Sequence, residues 1–251
     1  MKKITWMTKA VKAGRTLPAA AILVLLSAIL SGCLYPDNQA QNNRVSYVES
    51  VRNLQAAVDD YYQQEGVLPI ITAGPEIPRY EKFRINLEQL KNTGYIDDIP
   101  ATAFEKGGSA YFLIINEETE PTVKVMDLGT VQKVNDVQMS VNRYMTQLGE
   151  LPAGEELYPG YWTVDVSKID ARSTELRSVY SGQDMSYIMD EAGTVYADYA
   201  FDIMQALQKD DITPAEDEDL RIYLEKASFY VPVKSVPYRW INGAPQAQPA
   251  E

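Results

Sequence analysis

The sequence predicts an α+β fold made of two tandem units, each a helix followed by an antiparallel sheet, placed behind an N-terminal export segment. Three observations carry this expectation. A 22-residue stretch at 48–69 recurs at 131–152 without a gap, at an offset of 83. Each copy is followed by apolar or alternating runs of strand length. Nothing resembles a repeated parallel βαβ pattern, so a doubly wound α/β fold is not expected.

The chain opens with Lys2, Lys3, Lys9, Lys12 and Arg15 and no acid, followed by an apolar run over 17–30 broken only by Pro18 and Ser27. Fourteen helical residues would span about 21 Å, short of the roughly 30 Å hydrocarbon core. A secretory signal is therefore expected over 1–32 rather than a permanent span. The run ends in Leu30-Ser31-Gly32-Cys33. These residues look like a bacterial lipobox, which implies lipidation of Cys33 and anchoring on the outer face of the cell membrane. Cys33 is the sole cysteine, so no intramolecular disulfide can form. A diacylated cysteine carries enough apolar chain for stable anchoring. Residues 34–44 are polar and lack periodicity, and read as a flexible tether.

The repeat pairs Val48 with Val131, Val51 with Val134, Gln55 with Gln138, Val58 with Val141 and Tyr61 with Tyr144. It continues through Gln64 and Gln147, Gly66 and Gly149, Leu68 and Leu151, and Pro69 and Pro152. Apolar residues at 45, 48, 51, 54, 58, 61 and 62 step by three or four, the period of a helix with one buried face. That places Tyr61 and Tyr62 in the core. Ser46 with Glu49 fits a capping box, and Thr130 is the expected N-cap of the second helix. Gly66 and Gly149 suit the left-handed position after a helix, and the prolines three residues on prevent continuation.

Runs 110–115 and 122–128 joined by 116–121 read as one hairpin, and 185–189 and 194–199 around Asp190-Glu191-Ala192-Gly193 as another. Residues 85–90 resemble 164–169 at an offset of 79, so the second copy has shorter loops. Beyond it, 198–209 reads as a helix, and Thr213-Pro214-Ala215-Glu216 as a capping box opening another through Lys226. Residues 228–233 read as a strand that Pro232 confines to an edge. From Gly243 the composition is Pro/Gln/Ala-rich and reads as loose. The expected organisation is a lipoprotein signal peptide over 1–32 and the lipidated Cys33 with its tether over 33–44. A first α+β unit over 45–128 and a second over 129–242, with an extra helix and strand, precede a disordered tail over 243–251.

The first unit resembles the globular heads of type IV pilins and pseudopilins. The matching residues are Val58, Tyr61, Tyr62, Gly66, Pro69, Leu87, Leu90, Gly94, Tyr95, Ile96, Ile99, Pro100 and Tyr111. The resemblance covers roughly 45–115 and, more faintly, 131–190, and implies a pilin-head-like repeat. Pilins begin with a processed leader and a continuous apolar helix carrying a Glu. A lipobox stands there instead, so the resemblance does not extend to filament assembly. The whole chain also resembles an uncharacterised lipoprotein family of Bacillus and its relatives, through Cys33-Leu34-Tyr35-Pro36, the paired helix units and the Val-Pro-x-x-Ser-x-Pro-Tyr stretch of 231–238. Members are sometimes labelled periplasmic binding components of ABC transporters.

Composition narrows the chemistry. With no His, an imidazole base, an imidazole zinc ligand and a Ser-His-Asp triad are all excluded. The full chain carries 23 Lys+Arg against 35 Asp+Glu; without residues 1–32 and their five cations the balance is 18 to 35, or −17. Such a body repels a phosphate backbone, so no nucleic-acid partner is expected. The acids at 210, 211 and 216–219 read as a solvated helix start, with no Asp-x-Asp-x-Asp-Gly loop for a cation. Lys106-Gly107-Gly108-Ser109 lacks phosphate-loop spacing and reads as a turn. Tyr158, Tyr161 and Trp162 lie in a loop-like stretch and are the candidate binding surface, with burial between the halves as the alternative. The expectation is a non-catalytic, membrane-anchored extracytoplasmic lipoprotein without cofactor or metal, partnered by an envelope protein or wall polymer. The alternative is a solute-binding lipoprotein serving an ABC transporter.

Overall fold

The computed structural model describes residues 37–71, 73–171 and 174–249. Residues 1–32, the lipobox and Cys33 lie outside them. The architecture is mixed α+β, with helices packed on small antiparallel sheets, and residues from Val45 onward form one compact unit.

The first repeat opens with α1 (Asp37–Glu65). This helix starts eight residues before Val45, inside the segment that reads as a tether, so Ser46 and Glu49 are helix interior and not a capping box. The Ser46 carbonyl instead accepts from the Ser50 hydroxyl. Short helices α2 (Arg79–Lys82) and α3 (Leu87–Asn92) follow, and Asn86 caps α3 by accepting from Gln89 N. Strands β1 (Ala110–Ile115) and β2 (Thr122–Asp127) pair antiparallel. Phe112, Ile114, Val123 and Val125 face Leu54, Val58 and Tyr61 of α1. Leu113, Ile115 and Met126 face Tyr80, Val231 and Val233 on the other side. A ribbon covered on both faces needs no polar alternation, which is why β1 reads as an unbroken apolar run. Tyr62 is 46% exposed, against the expectation that it joins Tyr61 in the core; it lies on the outer flank of the stripe.

The second repeat opens with α4 (Leu128–Leu148), which follows β2 without a loop. Its N-cap is Asp127, not Thr130: Asp127 Oδ2 accepts from both Thr130 N and Thr130 Oγ1. Gly149 ends it at φ 74°, a conformation that favours glycine. The sheet is four-stranded, β3 (Ala153–Tyr158), β4 (Tyr161–Val164), β5 (Tyr187–Met189) and β6 (Val195–Ala197), paired in that order.

The two sheets share one bridge pattern. Ile70 bridges Ile85 in the first repeat, and Ala153 pairs with Val164 in the second. Arg84 bridges Leu113, and Thr163 pairs with Ile188. Leu113 pairs with Lys124, and Ile188 with Tyr196. Asn86 N donates to Pro69 O at 2.8 Å, and Asp165 N to Pro152 O at 2.9 Å. The duplication therefore survives in the ladders: the first two strands of the second copy are longer than the bridges they match, and the last two, at three residues each, are shorter than β1 and β2.

A side-chain clamp is duplicated too. Gln55 Oε1 accepts from Val123 N at 2.8 Å, and its Nε2 donates to Pro121 O at 3.0 Å and to Asp59 Oδ1 at 2.9 Å. Gln138 Oε1 accepts from Val195 N at 2.6 Å, and its Nε2 donates to Gly193 O at 2.7 Å and to Asn142 Oδ1 at 2.8 Å. One amide thus ties each helix to the strand entering from each hairpin turn.

The C-terminal part departs most from expectation. Helix α5 (Ala200–Lys209) forms close to its expected place. Helix α6 is only Arg221–Ala227, and Thr213 caps nothing. Leu220 N donates to Tyr238 O at 2.9 Å and Leu220 is fully buried, so pairing with the tail draws 213–220 out of helical geometry. Residues 228–233 form a single bridge, Tyr230 to Val125, rather than a strand: Val233 N turns back onto Val231 O around Pro232, which has no N–H to continue a ladder. The tail expected to be loose from Gly243 forms a strand over Ala244–Ala247. Strands β7 (Tyr238–Ile241) and β8 (Ala244–Ala247) form a hairpin about Asn242 (φ 52°) and Gly243 (φ 80°). Asn-Gly with both residues left-handed is the favoured two-residue hairpin turn.

Gln138→Ala is expected to lower stability by about 1–3 kcal/mol, because Val195 N and Gly193 O lose their partner. Gln55→Ala should cost a similar amount. The check is the urea midpoint at unchanged m-value; shifts equivalent to less than about 0.5 kcal/mol in both variants would mean that the clamp is ornamental.

Candidate functional site

The two clamps stand beside two equivalent grooves. In the first repeat, Val51, Arg52, Gln55, Thr122, Val123 and Lys124 line a groove of about 550 Å³. In the second, the equivalent Val134, Asn135, Gln138, Thr194, Val195 and Tyr196 form one wall of a cleft of about 830 Å³. The opposite wall is the first repeat's segment 75–83, and residues of the C-terminal part close it. Val134 is 1% exposed and belongs to the second repeat's core, whereas its repeat partner Val51 is only half-buried. The cleft therefore exists because the first repeat lies over a groove that the second repeat inherited.

Its lining is rich in cations for so acidic a chain. Arg79, Lys82, Arg221, Lys234 and Arg239 stand against Glu76, Glu81, Glu117 and Asp219. Most cations have a partner. Arg221 grips Asp219 through Nε at 3.1 and 3.0 Å and Nη2 at 2.7 Å, and its Nη1 reaches the Ser235 hydroxyl at 3.2 Å. Lys234 Nζ lies 3.1 Å from Glu81 Oε1. Arg79 Nη2 lies 3.2 Å from Glu225 Oε1, and Tyr80 donates its hydroxyl to that same oxygen at 2.5 Å. The Arg221 guanidinium stacks over Tyr80 at 5.0 Å. Tyr80 is buried, and that burial holds its hydroxyl well above the ordinary phenol range. Arg239 differs: its Nη1 is shielded from solvent without a hydrogen-bond partner among the described residues.

Of the two readings open for Tyr158 and Tyr161, an exposed platform or burial, the structure takes burial: they are 7% and 3% exposed. Strands β3 and β4 meet at Pro159-Gly160, with Gly160 at φ 80°, and the pairing turns both rings inward. Tyr158 donates to Asp198 Oδ2 at 3.0 Å, where Tyr238 also donates, to Oδ1, at 2.8 Å. Tyr161 donates to Gln248 O at 3.0 Å. Trp162 is half-buried against the same core. The aromatics secure the sheet and the tail rather than presenting a surface. Leu30, Ser31, Gly32 and Cys33 lie outside the described residues.

The acids at 210–219 do not converge on a helix start. Glu218 accepts from the Tyr223 hydroxyl at 2.6 Å, and Asp219 serves Arg221. Among the described residues no group of three or more His, Cys, Asp or Glu could hold a metal ion. Arg239, Arg221, Lys234 and Arg79 went unmarked in the sequence because they are scattered over 160 positions without a motif.

One buried acid lies apart from the cleft. Asp202 on α5 is 3% exposed and its Oδ1 has no hydrogen-bond partner among the described residues. Burial pushes its carboxyl up, the charge of Asp198 adds to the rise, and Ser178 and Ser181 beside it pull the other way. The folded chain therefore keeps this proton where the unfolded chain has released it. Stability contributed here falls as pH rises from about 4 through the raised value, then levels off. Asp202→Asn should match the wild-type Tm near about pH 4 and exceed it at about pH 7. Parallel Tm profiles in the two proteins would refute this.

The sequence profile of the YphF family N-terminal domain matches residues 47–127. The match begins within α1 and ends with the last residue of β2, so it covers the first repeat and stops where α4 begins. No curated protein and no solved structure matches the chain.

Proposed function

We propose that this chain is a non-catalytic lipoprotein, anchored through lipidated Cys33 to the outer face of the cell membrane, whose body binds other components of the envelope. The observation that carries the reading is the order of its first 33 residues: five cations without an acid, an apolar run too short to span, then Leu30-Ser31-Gly32-Cys33. Among the described residues no helix is long and apolar enough to cross a membrane. The YphF N-terminal domain similarity names no activity. The resemblance to a Bacillus lipoprotein family and the pilin-head likeness of the repeats fit an envelope setting.

The cleft favours a second, more specific form of this reading, a solute-binding lipoprotein serving a transporter. Its volume of about 830 Å³ falls in the range of small-molecule sites. Its walls come from both repeats, so a bound solute would couple them.

Anchoring is tested by growing cells with an alkyne-bearing fatty acid. The expected result is label on the wild-type chain, none on Cys33→Ser, and release of the variant from the membrane fraction. Equal labelling of both, or membrane retention of the unlabelled variant, would refute it. Crosslinking in intact cells then separates the two forms: a stoichiometric envelope partner favours the accessory role, and its absence the solute-binding one.

A further inference from the structure

We infer that the cleft between the repeats is a site for a small oxyanion-bearing solute, a carboxylate or phosphate, with the Arg239 guanidinium as its direct anchor. The inference rests on the solute-binding reading and names its ligand class.

Charge is the first support. The chain as a whole has 23 cations to 35 acids, yet the cleft lining has five to four. Three of the five cations are held by acids, one of them, Glu225, outside the lining. Arg221 is spent on Asp219, Lys234 on Glu81 and Arg79 on Glu225. Those three pairs fix the walls; of the two remaining cations, Lys82 lies over the Phe83 ring at 5.0 Å, and Arg239 has neither an acid nor a ring partner among the described residues.

The state of Arg239 is the second support. A guanidinium keeps its charge at any physiological pH, and a buried N–H without an acceptor forfeits a hydrogen bond to water. Nη1 of Arg239 is in that condition. An oxyanion in the cleft would supply the acceptor and the counter-charge together, and the forked donors of guanidinium match the two oxygens of a carboxylate or phosphate.

Placement is the third. Arg239 sits on β7, opposite Gln246 of β8, between Tyr238 and Trp240. Those two rings belong to the core of the second repeat. Alternation along the strand therefore sends Arg239 the other way, into the cleft lining. The anchor is carried by a paired hairpin rather than a loop, which holds it in position. The same acidic body that surrounds the cleft disfavours a long polyanion, which would have to lie along it. A small solute meets only the cleft.

The test uses the full-length lipidated chain in non-ionic detergent, with inorganic phosphate, succinate and glucose as probes, in calorimetric titrations at low salt. Wild type, Arg239→Ala and Arg239→Lys are compared. Saturable binding of phosphate or succinate is expected, weakened tenfold or more in Arg239→Ala, partly retained in Arg239→Lys, and reduced by added salt. Which anion binds decides between the two sources of the oxyanion. The same probe should shield Arg239 of the wild type from phenylglyoxal, read by mass spectrometry, which needs no variant to fold. Anion binding unchanged in Arg239→Ala, or unshielded Arg239, would overturn the anchor. Glucose bound with neither anion would overturn the anion assignment and leave the solute-binding reading standing. No binding of any probe up to about 10 mM would remove both, while anchoring through Cys33 is read separately by fatty-acid label.

Discussion

Six residues near the C-terminus close two sheet edges at once, and the arrangement of the repeats depends on them. Val125 N donates to Phe229 O and Val231 N to Val125 O, at 2.8 and 3.0 Å, covering the outer edge of β2. A few residues later Ala197 N donates to Lys234 O at 2.8 Å, covering the outer edge of β6. Each repeat ends its sheet on the strand that follows its hairpin, and so each leaves the same unpaired edge. One extended segment serves both because Pro232 turns it between the two contacts and Lys234 adopts φ 57°. Val231 and Val233 meanwhile pack beneath the first ribbon with Tyr80. The segment is thus backbone partner, core and spacer for the two repeats.

The duplicated glutamine shows how a repeat can keep its mechanics while its sequence drifts. Gln55 and Gln138 make the same three hydrogen bonds, although the residue that each touches on its own helix has changed from Asp59 to Asn142. Both bind backbone atoms of the hairpin, which any side chain at those positions would leave in place. That explains why the glutamine is retained between the copies when its surroundings are not. The outcome differs between the copies for a tertiary reason. The second groove lies under residues 75–83 and becomes the wall of a cleft; the first keeps its open side.

Polar groups inside this fold are organised as fastenings. Asp198 gathers Tyr158 and Tyr238, joining the first strand of the second sheet to the C-terminal hairpin. Glu225 gathers Arg79 and Tyr80, joining the first repeat to α6. Breaking either would strand a charge in a place that water does not reach well, so each pins geometry more than it adds net stability. Arg239 is one of the few buried groups outside these fastenings, and it lines the cleft between the repeats.

Much of the fold was legible in the sequence because it obeys local rules. The stepping of Val51, Leu54, Val58 and Tyr61, the unbroken 110–115 run and the Gly-x-Leu-Pro endings each respond to periodicity or backbone freedom that neighbouring residues set. The falling offset between copies anticipated the shorter spacing between equivalent bridges in the second copy. The Asn242-Gly243 turn was equally legible but hidden by the Pro/Gln/Ala composition that follows it. The sequence by itself also determined the order of charges, apolar run and Cys33 at the start, which no packing is needed to read. Tertiary structure alone decided the rest. Leu220 paired with Tyr238 rather than extending a helix, and the tyrosines of β3 and β4 turned inward. Cations from four distant stretches came to share one cleft. In each case the deciding partner is supplied by a segment far along the chain, and hydrogen bonding and burial across such distances leave no period or spacing to be read in advance.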